Sequence, residues 1–322
     1  MRVISWEIAR RRDRIEAEKA LSKPMLTWHS WAMKQMNKNS LKLMQLMAEH
    51  NYISRQEIGK IVGSRWAVLR KVNSLLKLRL IASFETQLAP RIVYCLTFRG
   101  YHFLRQINRL RVSRYFKPND FRQITLAHTL ACVQTQIAFE NFSYIVNYKS
   151  TKVLNAGKDK LPTLQPDAEF IFKENLMSNA QLFRGAVEVE LSRKSALRNR
   201  QRLLKYGSRS DLKIVVWVCG SEYIIRDLQS IVSSTELREP EMFRFVLYGE
   251  MLEKGLKTKF MLSSLVVSVF QLYDRRQKNN LNQCLQQAFT EDDETGFGSL
   301  GIAIKYKKDY LKRLREGTYY EK

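Results

Sequence analysis

The chain has 322 residues, about twice the length of an ordinary single domain, so two domains are expected. Hydrophobic residues make up 45% of it and aromatic residues 11%, enough to bury real cores, which excludes a disordered polycation. Lys and Arg number 55 against 31 Asp and Glu, a formal charge of +24, and such an excess calls for a polyanionic partner: a phosphate backbone or an anionic membrane.

The membrane fits less well. The most apolar run, Leu262 to Leu272, is about half of the roughly 20 residues that cross a bilayer, and it contains serines. The N-terminal MRVISWEIARRRDR has no apolar signal-peptide core. Cys95, Cys132, Cys219 and Cys284 are far apart, with no C-x-x-C pair, so buried free thiols are expected rather than a zinc site or a disulfide framework. The expected setting is cytoplasmic.

Residues 1–35 are basic and predicted helical, with Arg10, Arg11, Arg12 and Arg14 clustered as either a solvated helix face or a phosphate-contacting arm. From Ser40 the pattern sharpens. Leu43, Leu46 and Met47 share a helical face that breaks at His50–Asn51. Ser54 precedes Glu57 by three residues, a capping box that opens a second helix through Ile58 and Ile61, ended by Gly63. A third helix, SRWAVLRKVNSLLKL, places Val68, Val72, Leu75 and Leu76 inward and Arg65, Arg70, Lys71 and Asn73 outward.

Two strand-like runs follow, Leu80–Phe84 and Ile92–Leu96, around a loop with Ala89, Pro90 and Arg91. Helix, helix, basic helix, hairpin is the order of a winged helix-turn-helix, whose third helix enters the major groove while the hairpin touches the backbone. Thr97 caps a further, basic helix that Pro118 interrupts, and a new helix runs from about Asp120 to Phe142. His128, beside Leu126 and Leu130 in its apolar part, reads as a hydrogen-bonded core residue.

The periodicity then changes. Ser143–Tyr148, Asp167–Phe172 and Gly185–Leu191 read as strands, and a basic helix follows at Lys194–Tyr206. Leu212–Cys219 is a near-continuous apolar strand, followed by a helix from Ser221 to Val232 and a strand at Phe243–Tyr248. Helix, three strands, helix, strand describes an α/β (or α+β) unit with a mixed sheet. Asp167 follows Pro166 at a strand start, and Glu188 and Glu190, two apart on the next strand, share a face. Two readings of these acids stay open. Converging carboxylates can hold Mg²⁺, with Lys194 supplying positive charge to a phosphoryl transition state. Alternatively, Glu188 and Glu190 form a solvated face paired with Arg193 and Arg198.

The run QPDAEFIF…GAVEVELSRKS…LLKY resembles the PD-(D/E)xK nuclease superfamily, in which a Pro-Asp opens one strand, a Glu-x-Lys ends the next and a helix follows. The predicted winged helix, VYCLTFRGYHFL and AHTLACVQTQIAFE resemble the bacterial replication-relaxation family of plasmids and mobile elements. Together these resemblances cover roughly residues 40 to 230. They imply a winged helix-turn-helix followed by a restriction-endonuclease-like domain, with Asp167 and Glu188 as metal ligands for Mg²⁺ or Mn²⁺; Glu190, on the same strand face as Glu188, is the candidate third ligand. Glu190 stands where the nuclease lysine belongs, so the lysine role falls to Lys194; a displaced lysine is tolerated in some relatives, whereas others have lost activity and only bind DNA.

The expected organisation is therefore a basic arm (1–35), a winged helix-turn-helix (36–117), a nuclease-like domain (118–275) and a charged tail (276–322), where EDDE precedes IKYKKDYLKRLR. DNA contacts are expected from Arg65, Arg70, Lys71, Asn73 and Arg91, and from Arg198, Arg202 and Lys205 of the second basic helix. The expected partners are DNA and either a second copy of the chain or other mobile-element proteins. Three functions compete: a DNA-binding protein that nicks DNA with Mg²⁺, a non-enzymatic initiator or regulator on a nuclease-like platform, and a repressor whose second domain oligomerises.

Overall fold

The computed structural model describes residues 36–158, 164–173 and 181–254, all within one compact unit spanning residues 1–258. The basic arm, the run 262–272, Cys284 and the charged tail lie outside the described residues.

Helix α1 (Lys38–His50) starts where the Asn37 side chain accepts from the Ser40 amide, and stops at Asn51, which sits at φ 79. A short strand β1 (Tyr52–Ser54) leads into α2 (Arg55–Val62). The capping box forms as expected: the Ser54 amide donates to Glu57 Oε2 at 2.7 Å, and Gln56 N donates to Ser54 Oγ at 3.1 Å. Gly63, at φ 89, ends the helix in a conformation that favours glycine. Helix α3 (Arg65–Lys77), capped by Ser64, is followed by the antiparallel strands β2 (Ile81–Glu85) and β3 (Ile92–Leu96). Strand β1 adds to the other edge of β3, giving a three-stranded sheet β1-β3-β2 that the sequence pattern did not predict.

Thr97 caps α4 (Phe98–Gln106) as expected, its hydroxyl accepting from Gly100 N at 3.0 Å. Gly100 is required there, because a Cβ would come within 2.0 Å of the Leu80 carbonyl oxygen. The helix does not run on to Pro118. Asn108 turns to φ 53, and Arg109 N bonds back to Leu104 O, closing the helix end. The chain beyond is claimed by other partners: Val112 is buried, and Arg111 pairs with Glu49 at 3.2 Å and donates to the Tyr148 carbonyl.

The next helix begins later than its pattern suggests. Pro118–Asp120 and Gln123–Thr125 are 3₁₀ turns, and α5 spans Leu126–Glu140. Val133 and Ile137 join the core made by Leu43, Met47, Ile58 and Leu75, while Phe139 packs on Tyr148 and Phe170 of the second sheet. Two polar side chains reinforce this shared position. Gln134 donates to the buried Glu57 of α2 and accepts from Tyr248 OH at 2.9 Å. Gln136 accepts from His50 Nε2 at 2.6 Å and donates to Glu49 at 3.0 Å.

The second sheet contains β4 (Ile145–Ser150), β5 (Ala168–Lys173), β6 (Leu182–Glu190), β7 (Ile214–Cys219) and β8 (Phe243–Leu247), in that spatial order. The β4–β5 and β5–β6 pairs are antiparallel; β6–β7 and β7–β8 are parallel. The sheet is therefore mixed, in an α+β chain, as expected. A short α6 (Thr151–Leu154) follows β4, α7 (Ala196–Gly207) and α8 (Glu222–Ser234) make the crossovers that parallel pairs require, and α9 (Tyr248–Lys254) follows β8. Strand β7, IVVWVC, is buried at every position, consistent with its central place. Gly185 leaves room for the Phe170 ring, which a Cβ would meet at 2.3 Å. Phe170 faces Gly185 across the strands, so Phe170 and Glu188 point to opposite faces: α5 covers the first and α7 the second.

Candidate functional site: a basic helix face and a carboxylate cluster

On α3, Val68, Val72 and Leu75 are buried, whereas Trp66, Arg70, Asn73 and Lys77 recur at helical spacing on the exposed side, with Arg65 beside them. Trp66 is 75% exposed, far more than a structural role explains. Charge on the outer side of the helix, the signal that marks Arg65, Arg70 and Lys71, does not mark an uncharged tryptophan. Lys71 differs from the other predicted contacts. Its ammonium donates to Asn37 Oδ1 at 3.2 Å, partial burial lowers its pKa, and it braces the start of α1. Arg91 is exposed at the hairpin end, where the Thr86 hydroxyl ties the loop by donating to Leu88 O and Pro90 O, both at 2.6 Å.

The predicted acids gather at one end of the second sheet. Ala168 pairs with Val187, so Asp167 stands opposite Glu188 as β5 begins, and Glu188 and Glu190 share the α7 side of β6. Glu188 is buried and clasped. Arg202 Nε donates to its Oε1 at 2.9 Å, Arg202 Nη2 lies 2.7 Å from its Oε2, and Tyr206 OH donates to Oε1. Burial, then the neighbouring Asp167, pushes the Glu188 carboxyl well above the usual range against the lowering pull of Arg202 and Tyr206. Arg202, predicted as a DNA contact, is turned inward and also donates to Gln165 O at 3.0 Å.

Glu190 is buried, and its Oε1 lies 3.3 Å from Lys194 Nζ, which also donates to Ser192 Oγ. Asp167 Oδ2 accepts from Val189 N at 2.8 Å and lies 3.4 Å from His128 Nε2. Arg198 and Lys205 are exposed on α7 and form no ion pair among the described residues. Arg193 pairs with Asp227 at 2.9 Å and lies over the Tyr223 ring.

His128 is hydrogen-bonded, as expected, but it is not a core residue. It sits half-exposed at the rim of this cluster, with Nε2 donating to Val189 O at 3.1 Å, and the Asp167 hydrogen bond raises its pKa. One helical turn on, Cys132 Sγ lies 3.7 Å from its Nδ1. Burial, with Asp167 and Glu188 nearby, holds that thiol well above its ordinary pKa. Cys95, Cys132 and Cys219 are buried free thiols.

Mg²⁺ takes oxygen ligands and commonly one or two carboxylates. Glu188 offers it little, because one guanidinium holds both oxygens. Asp167 and Glu190 are each engaged through a single oxygen among the described residues, which leaves each a second oxygen to offer. The trio whose donor atoms converge within 4.8 Å is a different one: His128, Cys132 and Asp167.

Among the described residues no helix is long and apolar enough to cross a membrane. Comparisons with protein families, curated proteins and solved structures return no match.

Proposed function

We propose that this chain is a DNA-binding protein of a plasmid or other mobile genetic element, acting in its replication, relaxation or mobilisation. In this reading α1–α3 with the β2–β3 hairpin form a winged helix-turn-helix, α3 is its recognition helix, and the second sheet with its helices is a PD-(D/E)xK nuclease-like domain. The observation that carries it is the outer face of α3, where Arg65, Trp66, Arg70 and Asn73 stand free of the core that its inner face seals. The charge of +24 agrees with it, and Arg198 and Lys205 extend basic surface onto the second domain. The biological setting rests on the resemblance to the replication-relaxation family. The test is fluorescence anisotropy on labelled duplexes: binding that weakens steeply with salt and with loss of the α3 face supports the proposal, and salt-independent or absent binding removes it.

A second reading, divalent-metal-dependent nicking of the bound DNA, is favoured by one observation: Asp167 and Glu190 flank the end of β6 with Lys194 beside Glu190. Asp167 and Glu190 would hold the ion, which supplies a Lewis acid for the scissile phosphate. The Arg202 clasp on Glu188 favours binding without cleavage. Supercoiled plasmid incubated with Mg²⁺, Mn²⁺ or EDTA separates the two. Metal-dependent nicking lost in Asp167→Ala establishes the second reading; plasmid left supercoiled under every condition leaves binding as the activity.

A further inference from the structure

We propose that His128, Cys132 and Asp167 form an open site for a borderline-soft divalent cation of the zinc type, distinct in donor chemistry from a magnesium site. It shares Asp167 with the magnesium reading but takes its other two donors from α5.

The three residues come from two elements. His128 and Cys132 are four apart on α5 and therefore share one face of the helix, and Asp167 heads β5. One donor atom from each lies within 4.8 Å of the other two. In a tetrahedral zinc site, with metal–ligand bonds of about 2.0–2.3 Å, donors sit roughly 3.3–3.6 Å apart. The Sγ–Nδ1 separation of 3.7 Å is already at that spacing, whereas Asp167 Oδ2 lies 3.4 Å from the other ring nitrogen, Nε2, so the carboxylate has to turn to reach an ion on Nδ1.

The histidine is set up as a ligand. Its Nε2 proton is held by the Val189 carbonyl at 3.1 Å, so the neutral ring presents the Nδ1 lone pair toward Cys132 Sγ. A ligating histidine commonly donates its other ring N–H to a backbone carbonyl or carboxylate in this way, which fixes the tautomer and orients the ring. Asp167 is oriented too, by the Val189 amide at 2.8 Å. A single residue of β6 thus positions two of the three donors.

The donor set decides the ion. Nitrogen, sulfur and oxygen together suit Zn²⁺ or Co²⁺, whereas Mg²⁺ avoids thiolate. With three protein ligands the fourth position stays open, and half-exposed His128 lines the way in from solvent. The absence of any C-x-x-C pair hid this arrangement, since the histidine and cysteine are spaced for one helical turn instead.

Titration of the reduced, metal-free full-length protein with Co²⁺, followed by absorption, tests it. We expect a thiolate-to-cobalt charge-transfer band that saturates at one equivalent, is bleached by equimolar Zn²⁺ and persists in a large excess of Mg²⁺. Cys132→Ser should abolish the band, and Cys284→Ser should leave it intact. Asp167→Asn, which keeps the side-chain shape, should weaken Zn²⁺ affinity by at least the roughly 10–100-fold that loss of even an outer partner costs. Circular dichroism of each variant separates loss of the site from loss of the fold. No band in folded wild type, or a band that survives in Cys132→Ser, overturns the proposal. Neither result bears on DNA affinity, and because Asp167 is shared with the magnesium reading, nicking is assayed in Cys132→Ser, which leaves Asp167 and Glu190 in place, so that the two proposals fail separately.

Discussion

Arg202 holds both oxygens of the Glu188 carboxylate, with Nε 2.9 Å from Oε1 and Nη2 2.7 Å from Oε2, and the acid is 2% exposed. Removing one member of such a pair strands the other without a counter-charge, at a cost of roughly 3–5 kcal/mol for a buried pair. Because Arg202 keeps some solvent contact, the lower end applies: Arg202→Ala should lower stability by about 3 kcal/mol in urea unfolding. Glu188→Gln combined with Arg202→Met should cost less than the sum of the single changes, because the two residues are coupled. Additive losses would mean that the clasp contributes nothing beyond packing.

His50 gives the fold a pH dependence. It is fully enclosed, donates to Gln136 Oε1 at 2.6 Å, and burial lowers its pKa to about 4, with Lys152 lowering it further and Gln136 opposing. Unfolded, it takes a proton near its ordinary value of about 6.5. The folded-state value is depressed, so its contribution is complete above about 6.5 and is lost as pH falls toward 4, reaching roughly 3 kcal/mol. Wild-type stability should fall across that window, and His50→Gln, though less stable at neutral pH, should give a flatter profile. Parallel profiles would assign the pH dependence to other groups.

Gln134 links three elements: its amide donates to Glu57, and its Oε1 accepts from Tyr248 OH at 2.9 Å and from Lys60 Nζ at 3.4 Å. Leaving the buried Glu57 short of a donor should cost about 1–3 kcal/mol in Gln134→Leu. Hydrogen exchange should quicken in α2 and α9 together, since both lose the same partner. Faster exchange confined to α2 would contradict a shared joint.

Much of this fold is legible in local sequence, and the exceptions have a common cause. The Ser54–Glu57 capping box and the Thr97 cap lie within four-residue windows, so their geometry is encoded where it acts. Strand β1 is three residues long and exists because Tyr52–Ser54 meet Val93–Cys95 some forty positions later. The shared face of Glu188 and Glu190 follows from the pleat, but the inward turn of Arg202 does not. Four basic side chains on α7 look alike in sequence, and only the packing of α7 on β6 selects the one that serves Glu188. His128 was hidden by its apolar neighbours, which fill the core while it reaches the rim. The helix expected to run to Pro118 ends at Gln106, because Arg111 and Val112 have partners elsewhere.

Trp66 and Lys71 should separate sequence reading from scaffolding. Trp66 is exposed at the start of α3, where residues of a recognition helix reach base edges, whereas Lys71 braces Asn37. Trp66→Ala should leave the melting temperature near wild type and weaken binding to a preferred site more than to random duplex. Lys71→Ala should lower stability, by less than about 1 kcal/mol for a largely exposed contact, and weaken both duplexes alike. Equal effects of Trp66→Ala on the two duplexes would place this tryptophan outside the base-reading surface.

The most direct test of DNA binding through α3 is the salt dependence of duplex affinity in wild type and in the triple variant Arg65→Ala, Trp66→Ala, Arg70→Ala. Each phosphate contact contributes about 0.9 to the slope of log K against log salt. Loss of two such contacts should reduce the slope by roughly 2 and weaken binding by at least tenfold at moderate salt, with the fold unchanged by circular dichroism. Wild-type slope and affinity retained in the triple variant would contradict this assignment and put the DNA-binding surface elsewhere on the protein.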